Sequence, residues 1–326
     1  MSTSRRAFLG GLAAAALTGA TGYALARRPG KDVLRLGAMT NLTHAPMLAG
    51  LGSGRIQAAL APLVVETRLF RAGPRVAEAL VGGAIDAGTA GPSAIVVHHA
   101  RHRDGGAGLR VIGGCCSGGA SLVVTPKSGI RGSADVRGKR LAVTQIGTAQ
   151  DVSLRWWLKQ AGLRDAAAGG DVTVLAIAAA TILDQMKRGE LDGAWLPEPW
   201  ATRVVHEEGA LRLIDERDLW PDRRFATAVL ATRARDAERP WAPALAAALA
   251  AEVTRASQDP ETALDEAHAE LTRHVGNPGK RSLFSVANEY VDFTSDPLRA
   301  SIEAFGEAAA ALGLAPGHST DHLFGD

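Results

Sequence analysis

The chain has 326 residues, of which 46% are hydrophobic and 21% charged. That balance excludes a disordered polymer and leaves room for one large core or two lobes. The formal net charge of +2 is carried by Arg5 and Arg6; the remainder is balanced, so the basic surface of a nucleic-acid-binding protein is missing.

Ser4-Arg-Arg-Ala-Phe-Leu9 precedes a modestly apolar run, Gly10 to Ala26, that ends in Ala24-Leu-Ala26, a cleavage site of the A-x-A kind. The paired arginines resemble a twin-arginine export signal. Residues 1–26 are therefore expected to be a signal peptide, or a membrane tether if uncleaved. No other stretch is apolar and long enough to cross a membrane.

Beyond it, Val33–Ala38 reads as a first strand, Asn41-Leu-Thr-His-Ala-Pro46 as a loop, and a helix follows to about Leu51. Val64–Phe70 is a second strand, and Gly73-Pro74 opens a helix to Val81. Gly83–Gly88 leads into a short strand and Gly91-Pro-Ser93. His98, His99 and His102 lie on a helix-like run with Arg101 and Arg103. Strands are expected at Leu109–Gly113 and Ser121–Thr125.

Gly138 to Leu158 reads as a strand, a polar loop and an amphipathic helix, with Leu154, Trp157, Leu158 and Ala161 on one face. Val172–Ile177 is a strand, Thr181 an N-cap with Asp184 three residues on, and Ala194–Leu196 a short strand before Pro197-Glu-Pro-Trp200. Phe225–Thr232 is a late strand. Helices are expected at Trp241–Ser257, Pro260–His274, Lys280–Tyr290 and Pro297–Leu312, punctuated by Pro and Gly. His318–Asp326 reads as a loose tail.

One order of elements appears twice, about 105 residues apart. Arg35-Leu36 matches Arg140-Leu141, Thr43 matches Thr148, and Gly83-Ala-Ile-Asp86 matches Gly189-Glu-Leu-Asp192. Each half runs β-α-β-α-β, which predicts two similar α/β lobes with parallel sheets covered on both faces. Ser121–Lys127 would carry the chain from the first lobe to the second, and Phe225–Thr232 would carry it back.

No P-loop, G-x-G-x-x-G turn, H-E-x-x-H helix or G-x-S-x-G elbow is present. His98 and His102 have metal-pair spacing, but the adjacent arginines repel a cation, and a solvated face explains them more simply. Cys115 and Cys116 read as small buried strand residues, since no base or cation stands nearby to activate a thiol. Asn41, Thr43 and His44 stand between a strand and a helix, as do Gly91-Pro-Ser93 and Gln145 with Gly147-Thr148. Such positions face the crevice at the carboxyl ends of parallel strands, where helix N-termini attract anions. Helix capping would need the same residue types, and both readings stay open. Glu198, between two prolines beside Trp200, could receive a ligand cation, join the lobes by a salt bridge, or sit in a rigid turn with Trp200 in the core. Trp156, Trp157 and Trp195 read as core.

Asn41-Leu-Thr-His-Ala, Phe70-Arg-Ala-Gly-Pro74, Gly83-Ala-Ile-Asp86, Gly91-Pro-Ser93, Ser117-Gly-Gly-Ala120, Asp135-Val-Arg-Gly-Lys139, Gly147-Thr-Ala-Gln-Asp151 and Pro197-Glu-Pro-Trp200 together resemble the solute-binding proteins of ABC importers for nitrate, taurine and aliphatic sulfonates. The resemblance covers roughly residues 33 to 232. It implies a type II periplasmic binding protein fold: two doubly wound α/β lobes on a two-strand hinge. Lobe 1 would be discontinuous, 31–120 with 226–326, and lobe 2 would be 121–225. It further implies a periplasmic monomer without cofactor, metal or catalytic residue, which delivers a small anionic ligand to a permease and its ATPase. Its ligand residues would be Asn41, Thr43, His44, Ser93, Gly118, Gly119, Gln145, Thr148, Gln150 and Glu198. Relatives commonly read Gly-Asn-Thr-Gln-Asp where this chain has Gly147-Thr-Ala-Gln-Asp151, and often Asn where Arg71 stands. Arg71 would face either the cleft or solvent. Three other readings belong to the same fold: a desulfinase with a cysteine nucleophile in the cleft, a binding protein for a pyrimidine or thiamine precursor, and a ligand-sensing subunit of a signalling receptor.

Overall fold

The computed structural model describes residues 32–102, 108–317 and 319–325; the expected signal peptide lies outside them. Strand β1 (Val33–Met39) leads through a 3-10 turn, Leu42–His44, into α1 (Ala45–Gly52) and the short α2 (Arg55–Ala59). Then come β2 (Val64–Phe70), α3 (Gly73–Val81), β3 (Ala87–Ala90), α4 (Pro92–His102), β4 (Leu109–Gly118) and β5 (Ala120–Val124). The second half repeats the order with β6 (Arg140–Val143), α5 (Ala149–Gln160), β7 (Thr173–Ala176), α6 (Ala179–Lys187), β8 (Gly193–Pro197), α7 (Trp200–Glu208) and β9 (Leu211–Asp215). Strand β10 (Ala226–Arg233) precedes α8 (Trp241–Gln258), α9 (Pro260–Val275), α10 (Arg281–Asn288), β11 (Val291–Phe293) and α11 (Arg299–Ala311).

Two sheets form, ordered β11-β4-β10-β3-β1-β2 and β7-β6-β8-β5-β9. Strands β2, β1, β3 and β10 of the first thus correspond to β7, β6, β8 and β5 of the second. The repeated aspartates explain why the halves look alike. Asp86 accepts a hydrogen bond from the Arg35 backbone N–H at 2.9 Å and returns its own N–H to the Arg35 carbonyl at 2.8 Å. Asp192 makes the same pair with Arg140, at 2.8 and 2.9 Å. Each carboxylate therefore pins the start of the first strand of its half against the strand that runs beside it.

The sheets are mixed where the sequence predicts parallel ones. Strands β1 and β3 are parallel, as are β6 with β7 and β8, but β10 is antiparallel to β3 and β4, and β5 to β8 and β9. The reason is connectivity. A strand that enters a sheet from the other sheet starts at the cleft and runs away from it, against its neighbours. The passages lie at Gly118–Ala120, before the stretch Ser121–Lys127 expected to make the first crossing, and at Arg224–Ala226, at the start of the stretch expected to make the second.

Leu36, Leu48, Leu245 and Phe284 fill the core on one face of the first sheet, and Val76, Ile95, Val229 and Ile302 the other. Leu154, Leu158 and Trp195 pack one face of the second sheet, and Ile182, Met186 and Val204 the opposite one. A fifth cluster joins α5 to α11, where Trp220, Phe225 and Phe305 hold ring centroids 5.3–5.9 Å apart.

Three local expectations are corrected. Helix α6 begins at Ala179 after an Ala178 cap, so Thr181 lies inside the helix; alanine is the best helix former, and the alanines ahead of Thr181 extend the helix past it. Ala161 caps α5 at its C-terminal end and is exposed, outside the packed face. The tail is docked, with Leu323 fully buried and its carbonyl accepting the Val111 N–H at 2.9 Å; one leucine fitting the α3–α4 core outweighs a polar composition.

Candidate functional site

A cavity of about 550 Å³ lies between the sheets, at the carboxyl ends of their parallel strands. Residues at or just before the starts of α1, α3, α4, α5, α6 and α7 line it: Thr43-His44 of the turn before α1, then Ala72–Pro74, Ser93-Ala94, Thr148–Gln150, Ala178–Ala180 and Pro199-Trp200. The cap residues of α1, α3, α5 and α6 make no side-chain cap bond, whereas at α7 the Glu198 carboxylate accepts the Thr202 N–H. The first-turn N–H groups of α5 and α6 therefore keep hydrogen-bonding capacity and partial positive charge, while at α1 and α3 a proline stands in the first turn and the Ala45 and Arg75 N–H groups go to the Leu42 and Ala72 carbonyls. Two arginines, Arg71 and Arg203, also line it, and the lining holds no carboxylate among the described residues.

Seven of the ten expected ligand residues face this space: Asn41, Thr43, His44, Ser93, Gln145, Thr148 and Gln150. The capping role open to Asn41 and Thr43 is not taken. Asn41 precedes the 3-10 turn without a side-chain cap bond, and its Oδ1 is buried without a partner. His44 is buried, its Nδ1 lying 2.8 Å from Thr89 Oγ1, and burial pushes its pKa down to about 3. It is therefore an uncharged polar wall, not a cation. Thr148 Oγ donates to the Gln145 carbonyl at 2.8 Å, while Asp151 accepts the Gly147 N–H at 2.9 Å and holds the loop before α5. Ser93 Oγ donates to the Gly147 carbonyl at 2.5 Å and ties the α4 start to that loop across the cleft.

Gly118, Gly119 and Glu198 do not line the cavity. The two glycines form the passage between sheets with φ of +75° and +78°, and a Cβ on Gly119 would stand 2.6 Å from Thr43 Cγ2. Their part is backbone shape at a close approach. Glu198 is fully buried behind the wall. It accepts from Arg212 Nη2 at 2.5 Å and from the Thr202 N–H at 3.1 Å. Burial raises its pKa, and the Arg212 charge pulls it partway back. The same guanidinium donates to Ser121 Oγ at 2.7 Å and lies 3.5 Å from the Tyr290 ring centroid. Glu198 is thus spent inside its own half, on an arginine whose sequence carries no motif.

Arg71 lines the cavity and is at the same time exposed to solvent. Trp200 also lines it, with the Arg203 guanidinium 4.6 Å over its ring, whereas Trp156, Trp157 and Trp195 do not. Sequence reasoning missed Arg203, Thr227 and a wall from the C-terminal helices, Leu271, Val275, Pro278 and Phe284. Only Trp200 stood beside a motif that could have flagged this region. Cys115 and Cys116 are fully buried in β4 outside the lining, and burial pushes the Cys115 thiol up to about 12. A desulfinase nucleophile would need the reverse: exposure to the cleft and a depressed pKa. His98 and His102 stack with ring centroids 6.0 Å apart, and His102 Nδ1 lies 2.8 Å from the His98 carbonyl.

The fold matches solved periplasmic binding proteins. The periplasmic aliphatic sulphonate binding protein SsuA from Escherichia coli superposes with a TM-score of 0.70 at 20% identity, over 88% of this chain and 89% of that one. The periplasmic nitrate-binding protein NrtA from Synechocystis PCC 6803 does so with a TM-score of 0.71 at 15% identity, over 91% and 86%. A Brucella abortus protein named as a binding protein is 29% identical over 238 residues, 72% of this chain and 69% of its own length. The NMT1-like family model matches residues 27–274, well over half of the chain. The chain has the periplasmic binding protein fold and belongs to the NMT1-like family.

Proposed function

We propose that the protein is the solute-binding component of an ABC-type importer and captures an oxyanion in the cleft between its two sheets. The observation that supports this most is the convergence of six helix starts, those of α5 and α6 with free first-turn N–H groups, on one cavity whose charged lining groups among the described residues are Arg71 and Arg203. Each terminus contributes roughly 0.3–1 kcal/mol toward an anion, and up to ~2 when partly buried. At the surface value six sum to about 2–6 kcal/mol, so the ~8 kcal/mol that micromolar affinity requires also draws on partly buried termini and on hydrogen bonds from the polar lining and Arg71. Sulfonate, carboxylate and nitrate head groups all accept hydrogen bonds from such donors.

On this reading residues 31–120 with 226–326, and residues 121–225, close as two lobes, with Ser93 and Gly147 meeting in the closed state. The ligand residues are Asn41, Thr43, His44, Ser93, Gln145, Thr148 and Gln150, with Arg71 added and Gly118, Gly119 and Glu198 supporting from behind. The protein works in the periplasm, reached through the signal segment of residues 1–26, and hands its ligand to a permease driven by an ATPase. It acts as a monomer and performs no chemistry on its cargo.

Calorimetry and thermal shift against nitrate, taurine, alkanesulfonates and small carboxylates test this. A ligand at a hundred times its Kd should stabilise the protein by about 2.7 kcal/mol. The absence of binding to any anion in the panel would sink the proposal.

A further inference from the structure

Behind the start of α5 lies a carboxyl that does not line the cavity. Glu216 opens the turn Glu216–Leu219, which follows β9, and is fully buried. The Ser153 hydroxyl donates to its Oε1, while among the described residues its Oε2 has no hydrogen-bond partner. Ser153 stands one turn after Gln150 on α5, so the two side chains share a face. Gln150 lines the cavity and is also one of the donors that act on the Glu216 carboxyl, together with Trp195, whose indole N–H is buried and otherwise unpartnered. A single amide therefore bridges the cavity and the buried acid.

No cation neutralises that acid among the described residues. The turn packs against α5, β4, β5, β9 and the next turn, Pro221–Arg223. On β9, Asp215 opposes the ionisation of Glu216. Arg217 is engaged by Asp215 at 2.7 Å and by Asp292 at 2.5 Å, and Arg212 by Glu198 at 2.5 Å. On α5, Arg155 pairs with Asp151 at 2.7 Å, and Lys159 donates to the Ala311 carbonyl at 2.6 Å. Arg223 pairs with Asp218 at 2.8 Å beside an exposed Asp222. The Gly118 end of β4 offers Cys115 and Cys116, thiols that burial keeps protonated, and β5 offers no titratable group. An isolated buried carboxyl holds its proton more readily than an exposed one, and burial pushes that of Glu216 up to about 7. His44 on the cavity lining is pushed down to about 3 and does not change charge near neutrality.

We infer that the protein takes up one proton at Glu216 for each anion it captures, with Gln150 as the positioning residue between the two. This rests on the anion-binding reading and adds a regulation to it. An ionised Glu216 draws the Gln150 NH2 group and leaves the amide oxygen for the cavity, where it opposes an anion. A protonated Glu216, its proton taken from water, donates its O–H to that oxygen and frees the NH2 group for the anion. A bound anion in turn disfavours a second negative charge behind it, so binding and protonation support each other.

Titration calorimetry with nitrate, methanesulfonate and acetate tests this, because none of them changes charge between pH 6 and pH 8.5. Affinity should fall by about tenfold across that range. At pH 8, buffers of high and low ionisation enthalpy should report more than about half a proton taken up per anion. Glu216→Gln stands in for the protonated acid. It should abolish both the fall and the proton uptake, and keep the affinity of the wild type at pH 6 to within about threefold. Ser153→Ala removes a donor to the carboxylate, so its affinity should fall at a higher pH than that of the wild type; this variant decides if E216Q does not fold. An affinity independent of pH, or an E216Q profile identical to that of the wild type, overturns the inference and leaves the anion-binding reading standing. No binding of any of the three anions at any pH overturns both.

Discussion

Replacing Glu216 by glutamine should stabilise the protein at neutral and alkaline pH and flatten its stability profile in mild acid. Glu216 follows β9 and is fully buried behind the second sheet. Its Oε1 accepts from the Ser153 hydroxyl, and its Oε2 has no partner. Burial is the main cause that pushes its pKa up to about 7, partly offset by the donors Ser153, Trp195 and Gln150 and reinforced by neighbouring Asp215. The unfolded chain titrates near 4.5, so between these values the folded state binds more protons than the unfolded state. Stability must therefore fall as pH rises through this window and level off above about 7. At 1.36 kcal/mol per pH unit, the interval corresponds to roughly 3 kcal/mol of stability lost by pH 8. Glutamine keeps an oxygen for Ser153, carries no charge, and stands in for the protonated acid. Urea unfolding followed by tryptophan fluorescence at pH 5 and pH 8 measures the effect. The variant should gain about 3 kcal/mol at pH 8 and about 1 kcal/mol or less at pH 5. A variant destabilised equally at both pH values would refute the reasoning, because Glu216 would then be held ionised by interactions that glutamine cannot replace.

Removing the guanidinium in Arg71→Ala should weaken anion binding by about tenfold at low ionic strength, since the side chain is exposed and its hydrogen bonds to a charged head group are discounted accordingly. Calorimetry in 0.02 and 0.5 M salt should show that loss shrinking, and equal affinity at low salt would remove Arg71 from the site. Glu198→Ala leaves Arg212 without its buried carboxylate, which costs about 3–5 kcal/mol. The expected outcome is a lower melting temperature with ligand affinity within twofold; lost binding at unchanged stability would return Glu198 to the ligand set. Gly119→Ala should cost about 1–3 kcal/mol in urea titrations, from its left-handed backbone and the approach to Thr43. A neutral result would mean that the passage between the sheets relaxes freely.

The boundaries of β2, α3 and α9 were legible in the sequence to within a residue. Their signals are local: Gly73-Pro74 and Pro260 at helix starts, and a run of branched residues in Val64–Phe70. The repeat was legible too, because Asp86 and Asp192 do the same work at the same place in each half. The direction of β5 and β10 was not, since a strand's polarity depends on which end of a sheet the chain enters. Glu198 looked like a ligand residue because its neighbours Pro197, Pro199 and Trp200 mark a special turn. Its real partner, Arg212, lies on another strand and carries no mark at all.

By itself, then, the sequence determined the elements, their doubling, and the polar helix starts that follow β1, β3 and β6. These follow from periodicity, punctuation and short-range hydrogen bonding, which act over a few residues. Tertiary structure alone decided that six helix starts share one cavity and that Arg71 borders it while Glu198 is buried behind its wall. It alone brought Leu271, Val275 and Phe284 around to form an apolar wall. Those outcomes depend on how segments some two hundred residues apart in the chain pack together, and burial and pairing across such distances leave no local trace.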